Sequence, residues 1–303
     1  MRIKINEDVA RDVTLMRDVI YCVYAHAQKH AVDTSSTIKL MNLIHPSLQE
    51  MAKRLITASA NRNYSFCIEV NNKNNNVESF KVDELNKYLS KSSVIIMENE
   101  TSDGKFLDVI LKTLEEHSII SGKNDSWEIR GAGGCGEMVN AIKNECDKFV
   151  KKPRIFIIHD SDLTYPGQAL DKAHLNIKKK AEEVGVKEVM LSKREVENYI
   201  PDSTISYTKT KLDMLKEFSK LSSTQKDFFD YKKGLATGSE EYRNLYSMLD
   251  EETIDKIKDG FGKNIGTNIF SSDFNFTKES FNARCEKIIP EFQDICRTIK
   301  DIL

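Results

Sequence analysis

Three uninterrupted hydrophobic runs in the middle of the chain each end in acid. Val94-Ile95-Ile96-Met97 precedes Glu98, and Ile155-Phe156-Ile157-Ile158 precedes His159-Asp160-Ser161-Asp162. Val189-Met190-Leu191 precedes Ser192-Lys193-Arg194-Glu195-Val196-Glu197-Asn198-Tyr199. Short apolar runs bounded by polar residues predict buried strands. Between them, apolar residues recur at helical spacing. Leu107, Ile110, Leu111 and Leu114 predict one helix, and Val139, Ile142, Cys146 and Phe149 a second. Leu170, Ala173, Ile177, Ala181 and Val184 predict a third, opened by Pro166-Gly167. Trp127-Glu128-Ile129-Arg130 reads as a further strand, which Gly131-Ala132-Gly133-Gly134-Cys135-Gly136 turns into the second helix. The β-α-β-α-β-α-β order predicts an α/β domain over residues 91–202, with a central parallel four-stranded sheet flanked by helices. Ligands of such sheets gather at the carboxyl ends of the strands. Glu98, Asp160 and Asp162 are therefore expected on one edge.

The flanks read differently. Residues 1–90 predict a mostly helical N-terminal region with one strand or hairpin. Val9, Val13, Met16, Ile20, Val23 and Ala27 form one apolar stripe, and Leu48, Met51, Ala52, Leu55 and Ile56 form another behind Pro46. Residues 64–70 read as the strand, residues 71–76 as a polar turn and residues 82–89 as a short helix. Residues 203–303 predict a helical C-terminal region. Loops are expected at Ser222-Ser223, residues 234–238 and residues 260–272, and a break or restart at Pro290.

Composition changes the picture in two ways. The formal net charge of −2 over 303 residues supplies no global basic field, so any nucleic acid must be held by a local patch. The six cysteines are scattered without a Cys-x-x-Cys pair, which excludes the usual zinc spacing and reads as reduced core thiols. No apolar stretch near the N-terminus resembles a signal region, and no uncharged run approaches membrane-spanning length. The expectation is a soluble cytoplasmic protein.

The acids carry the candidate chemistry. Ionised carboxylates are costly to desolvate unless a partner or a metal compensates them. Asp160 and Asp162 alternate past a strand end, and Glu98 from a second strand adds another hard oxygen donor. That set, without soft ligands, favours Mg²⁺ or Mn²⁺. Ions so held activate water and stabilise the leaving oxygen of a phosphodiester. The competing structural reading makes Asp162 and Asp103 helix caps. Lys193 and Arg194, beside the acids, are candidate phosphate contacts. Tyr199 is read as packing the segment onto the sheet, and His159 either as a proton shuttle or as a strand-end residue bonded to backbone. The glycine turn is read as a tight turn or, more weakly, as a phosphate cradle. His26 and His30, at i and i+4, lack a supporting acid motif.

Strand–Glu98–helix followed by strand–Asp160-Ser161-Asp162 resembles the TOPRIM domain, the catalytic fold of primases, type IA and II topoisomerases and OLD-family nucleases. The resemblance covers residues 93–202. Met97 to Asp103 is similar to its first motif, and His159-Asp160-Ser161-Asp162 to its Asp-x-Asp motif. Arg194-Glu195-Val196-Glu197-Asn198-Tyr199-Ile200 is similar to the Arg-Glu-Ile-Glu-Asn-Tyr-Leu segment of OLD nucleases and of small stand-alone (PARIS-like) TOPRIM proteins of prokaryotic phage-defence systems. The resemblance implies an Mg²⁺- or Mn²⁺-dependent endonuclease acting on DNA or RNA, tRNA included, as a phage-defence effector. It implies Glu98, Asp160, Asp162 and Glu197 as catalytic residues and metal ligands, with Asp103 a further ligand. It also implies a separate ATPase or sensor chain as partner, and a homodimer as one possible assembly. Two positions depart from the pattern. Asn99 stands where the family has glycine, and Asp103 falls five residues after Glu98 rather than four.

Two other readings fit part of the pattern. Asp160-Ser161-Asp162-Leu163-Thr164 resembles the nucleophile motif of haloacid-dehalogenase-like phosphatases, but that assignment leaves Glu98 and Glu197 without roles. A degenerate TOPRIM module that binds nucleic acid or a partner without cutting is the other.

Overall fold

The computed structural model describes residues 1–62, 64–73, 79–205, 212–235 and 239–303. It is an α/β structure with two four-stranded parallel sheets. Part of the expected polar turn (residues 74–76) and part of the expected loop at 234–238 (residues 236–238) lie outside the described residues.

The N-terminal region departs from expectation. In place of one strand or hairpin it holds a complete parallel sheet, β1 (Arg2–Ile5), β2 (Ala31–Val32), β3 (Cys67–Val70) and β4 (Ser79–Phe80), in the order β2-β1-β3-β4. Two of these strands are two residues long, too short to display an alternating pattern. The β3–β4 pair is parallel, whereas a hairpin pairs its strands antiparallel. The first apolar stripe is also cut in two. Asp12 accepts hydrogen bonds from the Thr14 and Leu15 amides at 2.9 and 3.0 Å, ending the helix Glu7–Arg11 and capping Val13–Ala25.

The second sheet follows the predicted order. It comprises β5 (Ser93–Met97), β6 (Trp127–Gly131), β7 (Ile155–His159) and β8 (Lys187–Met190), arranged β6-β5-β7-β8. Strand periodicity sends alternate side chains to opposite faces. Ile95, Met97, Phe156 and Ile158 join a core built with the helix Ser102–Thr113 and the C-terminal helices. Val94, Ile96, Ile155 and Ile157 join a second core with the helices Met138–Cys146 and Lys172–Val184 and the whole N-terminal sheet unit. The central strands are thus covered on both faces, which explains why they read as unbroken apolar runs.

Among the described residues after 202 the regular structure is helical. The last helix, Ile288–Ile302, buries Ile288, Ile289, Phe292, Ile295, Cys296, Ile299 and Ile302. Burying each large aliphatic or aromatic side chain contributes roughly 1.5–3 kcal/mol. Pro290 lies in its first turn, where the missing amide donor breaks no intrahelical bond, so the helix restarts just before the proline.

Candidate metal centre at the carboxyl edge of the second sheet

Because all four strands of the second sheet are parallel, their carboxyl ends share one edge. The register Val94↔Ile155 and Ile96↔Ile157 continues past the strand ends and sets Glu98 beside His159 and Asp160. The Asp160 amide donates to Glu98 Oε1 at 3.2 Å. Asp160 Oδ1 accepts from the Val196 amide at 3.0 Å. The chain beyond β7 is fastened to the chain beyond β8. The Ser161 and Asp162 amides donate to the Arg194 carbonyl at 3.2 and 2.9 Å, and the buried Ser161 hydroxyl donates to the Lys193 carbonyl at 2.9 Å. Asp162 is left with φ of 52°, a left-handed conformation that aspartate tolerates better than most residues.

The glycine turn after β6 holds the first acid in place. The Gly133 and Gly134 amides donate to the Glu98 carbonyl at 3.0 and 3.2 Å. Those donors serve the tight turn and not a phosphate cradle. Gly131 abuts the chain after β5, where a Cβ would lie 2.7 Å from the Glu100 nitrogen.

Asn99 and Asp103 form a reciprocal cap on the helix Ser102–Thr113. Asn99 Oδ1 accepts from the Thr101 and Ser102 amides at 2.9 and 3.1 Å. Asp103 Oδ2 accepts from the Asn99 amide at 2.8 Å, and its Oδ1 from the Ser102 hydroxyl at 2.7 Å. Asparagine at position 99 thus has a structural use. Both oxygens of the buried Asp103 are engaged in the cap, which leaves it a weak candidate ligand.

Glu197 lies in the 3-10 turn Val196–Tyr199 and is buried. The helix Ile265–Phe270 closes over it so tightly that a Cβ on Gly266 would lie 2.6 Å from Glu197 Oε1. Glu197 does not stand open to a metal. Lys232 Nζ lies 3.1 Å from Glu195 Oε2 and 3.2 Å from Glu197 Oε2, although neither contact has hydrogen-bond geometry. Sequence reasoning missed this lysine, which reaches the site from a distant loop.

Lys193 and Arg194, expected at phosphates, face elsewhere. Lys193 is buried, with Nζ 2.6 Å from Asp227 Oδ1, and the Arg284 guanidinium shares that carboxylate at 2.7 Å. Arg194 pairs with Asp230 at 2.9 Å. Both cations fasten the C-terminal helices to the segment after β8. Tyr199 packs against Phe106 and Phe292 and donates its hydroxyl to Glu291, as the packing reading requires.

The electrostatics follow from this crowding. Burial, reinforced by Asp162 and Asp103, pushes the Glu98 carboxyl up to about 7. Burial also pushes Glu197 up to about 7, with Glu195 adding to the effect and Lys232 opposing it. Asp160 rises well above the ordinary range through burial and then through Asp103, Glu98, Glu197 and Glu195. Asp162 goes the other way, held low by its hydrogen bond to His174, and His174 is raised by the same contact. Burial works against the Lys232 ammonium, but Glu197 and Glu195 outweigh it and hold the ammonium charged.

The chain has no match among protein-family models, curated proteins or solved structures. The functional reading therefore rests on sequence and geometry alone. Glu98, Asp160 and Asp162 share one edge and are hard oxygen donors of the type that suits Mg²⁺ or Mn²⁺, but among the described residues no three of the acids bring ligand atoms within 4.8 Å of one another, so they would have to draw together to share an ion. Beside them lies a histidine pair that sequence reasoning did not join. His159 Nε2 lies 2.7 Å from Glu188 Oε1, and its ring stacks on that of His174 at a centroid distance of 5.2 Å. Neither the i,i+n spacing of these histidines nor any motif signals the pairing. No helix is long and apolar enough to cross a membrane.

Proposed function

We propose that the chain is a metal-dependent nuclease of the TOPRIM type, hydrolysing phosphodiester bonds in DNA or RNA. The observation that carries the reading is the meeting of Glu98 and Asp160, from two strands, across the 3.2 Å contact between the Asp160 amide and the Glu98 carboxylate. Among the described residues, no lysine or arginine forms an ion pair with either acid. Glu98, Asp160 and Asp162 would hold the ion, which when bound supplies a Lewis acid and lowers the pKa of coordinated water.

The chain's own groups do the rest. In the metal-free site Glu98 is raised to about 7, so near neutral pH it holds a proton that binding of the ion would displace. The Asp160 amide fixes the orientation of that carboxylate. Lys232, between Glu195 and Glu197, stands where a second cation would be needed and is held charged there. We therefore read the site as one ion plus a lysine, with Glu197 positioning Lys232. A defence role and a separate ATPase or sensor partner belong to the same proposal.

The test is cleavage of supercoiled plasmid and of total tRNA with Mg²⁺ or Mn²⁺. Cleavage should require the metal and be lost in Glu98→Gln and Asp160→Asn. Cleavage that survives both substitutions overturns the assignment. Phosphate release from small phosphomonoesters without nuclease activity replaces it with the phosphatase reading.

A further inference from the structure

Three groups of a different chemical character meet next to the acid pair. Cys135 comes from the glycine turn after β6, Asp162 from the loop after β7, and His174 from the first turn of the helix Lys172–Val184. One ligand atom from each lies within 4.8 Å of the other two. Cys135 Sγ is 3.6 Å from His174 Nδ1 and 4.0 Å from Nε2, and His174 Nε2 is 3.5 Å from Asp162 Oδ2. With zinc–ligand bonds of 2.0–2.3 Å, the edges of a tetrahedral site measure about 3.3–3.8 Å. Through His174 Nε2, the Asp162 edge of 3.5 Å falls within that range and the Cys135 edge of 4.0 Å just outside it, so small rotamer adjustments would close the set.

Position and support favour a ligand set over a chance contact. Gly134, with φ of 114°, directs the chain into Cys135, and the φ of 52° at Asp162 sets the direction of that residue. His174 is buried, and the Asp171 carboxylate accepts from its backbone amide at 3.0 Å. The His159–Glu188 pair stacks against its ring, the kind of outer support that orients metal-binding histidines. Asp162 is half exposed, and Asp171 Oδ1 lies 4.0 Å from His174 Nε2. The fourth position is therefore open to Asp171 or to water.

We propose that Cys135, Asp162 and His174 form a binding site for a thiophilic divalent ion, zinc by its chemistry, distinct from the Glu98–Asp160 centre. Thiolate, imidazole and carboxylate together select zinc or cobalt over magnesium. The site itself does not depend on the nuclease reading, but its consequence does. Asp162 belongs to both ligand sets, so zinc bound to Cys135 and His174 withdraws a ligand from the hard ion. Zinc is then an inhibitor of the magnesium-supported reaction.

Cobalt(II) is the probe for the site. Titrating the metal-free full chain should give one Co²⁺ per chain, with tetrahedral d–d bands and a thiolate-to-cobalt charge-transfer band. Cys135→Ser should remove the thiolate band and weaken binding at least tenfold. His174→Gln should weaken binding similarly, and Glu98→Gln should leave the spectrum intact. Circular dichroism checks that each variant folds. No thiolate band in the unaltered protein, or a full band in Cys135→Ser, overturns the site. For the consequence, the ratio of Mg²⁺-supported cleavage with and without Zn²⁺ should fall at least tenfold in the unaltered protein and stay near one in Cys135→Ser. Equal inhibition of both proteins overturns the shared-ligand claim. Absence of all cleavage overturns the nuclease reading, while the cobalt spectra still decide the site.

Discussion

Replacing Glu98 by glutamine should make the metal-free protein more stable. In the native fold the carboxyl is raised from 4.5 to about 7, mainly by burial and then by Asp162 and Asp103. At about 1.4 kcal/mol per tenfold change in proton affinity, keeping it ionised at pH 8 costs the fold roughly 3 kcal/mol. Glu98 is partly exposed, and solvent screening reduces this, so about 1.5–3 kcal/mol is expected. Glutamine keeps an oxygen for the Asp160 amide and removes the charge. The sign follows from linkage. Between pH 4.5 and about 7 the folded state holds a proton that the unfolded state has released. Stability attributable to Glu98 therefore falls as pH rises through that window and levels off above it. The gain in Glu98→Gln should be largest at pH 8 and vanish near pH 4. Urea unfolding of metal-free protein at the two pH values measures it. A variant no more stable than the unaltered protein at pH 8, or a gain independent of pH, refutes the reasoning. Saturating Mg²⁺ should stabilise the unaltered protein and have little effect on the variant.

Two further outcomes are expected. Lys232→Met leaves Glu195 and the buried Glu197 without their cation, and should lose on the order of 3–5 kcal/mol at pH 8 and less at pH 5, where Glu197 is protonated; chemical denaturation at both pH values checks this. Gly266→Ala places a methyl 2.6 Å from Glu197 Oε1 and should cost about 1–3 kcal/mol by overpacking. Adding Glu197→Ala to Gly266→Ala should recover part of that loss in a double-mutant cycle.

The sequence was informative where chemistry coincided with periodicity. The middles of β5 and β7 are buried on both faces and wholly apolar, so Glu98 and Asp160 stand out just past them. The parallel order of the second sheet then follows from the helices between strands. Residues that enter by tertiary paths carry no such mark. Lys232 sits in a loop among the C-terminal helices, and Cys135 and His174 meet only because the turn after β6 and the helix before β8 share an edge. Lys193 and Arg194 show the opposite failure. They adjoin the acids in sequence, but side-chain direction is set by Asp227 and Asp230, which the chain supplies more than thirty residues later. The N-terminal sheet was hidden because β2 and β4 are two residues each.

The charge balance along the edge narrows where a cation is needed. Asp103 spends both oxygens on the helix cap, Glu195 and Glu197 share Lys232, and Asp162 is held by His174. Glu98 and Asp160 are left with backbone amides as their hydrogen-bond partners. A pair so placed has two ways to lower its energy: retain a proton, or bind an ion of higher charge. The first makes Glu98 a base that titrates near neutrality, and the second drives that proton off. Metal binding and proton release at Glu98 are therefore coupled. The affinity for Mg²⁺ should rise with pH through the range in which Glu98 and the raised Asp160 ionise. Calorimetric titration between pH 5.5 and 8.5 in buffers of different ionisation enthalpy measures both the affinity and the proton released. An affinity that does not change across that range would place the ion elsewhere on the edge.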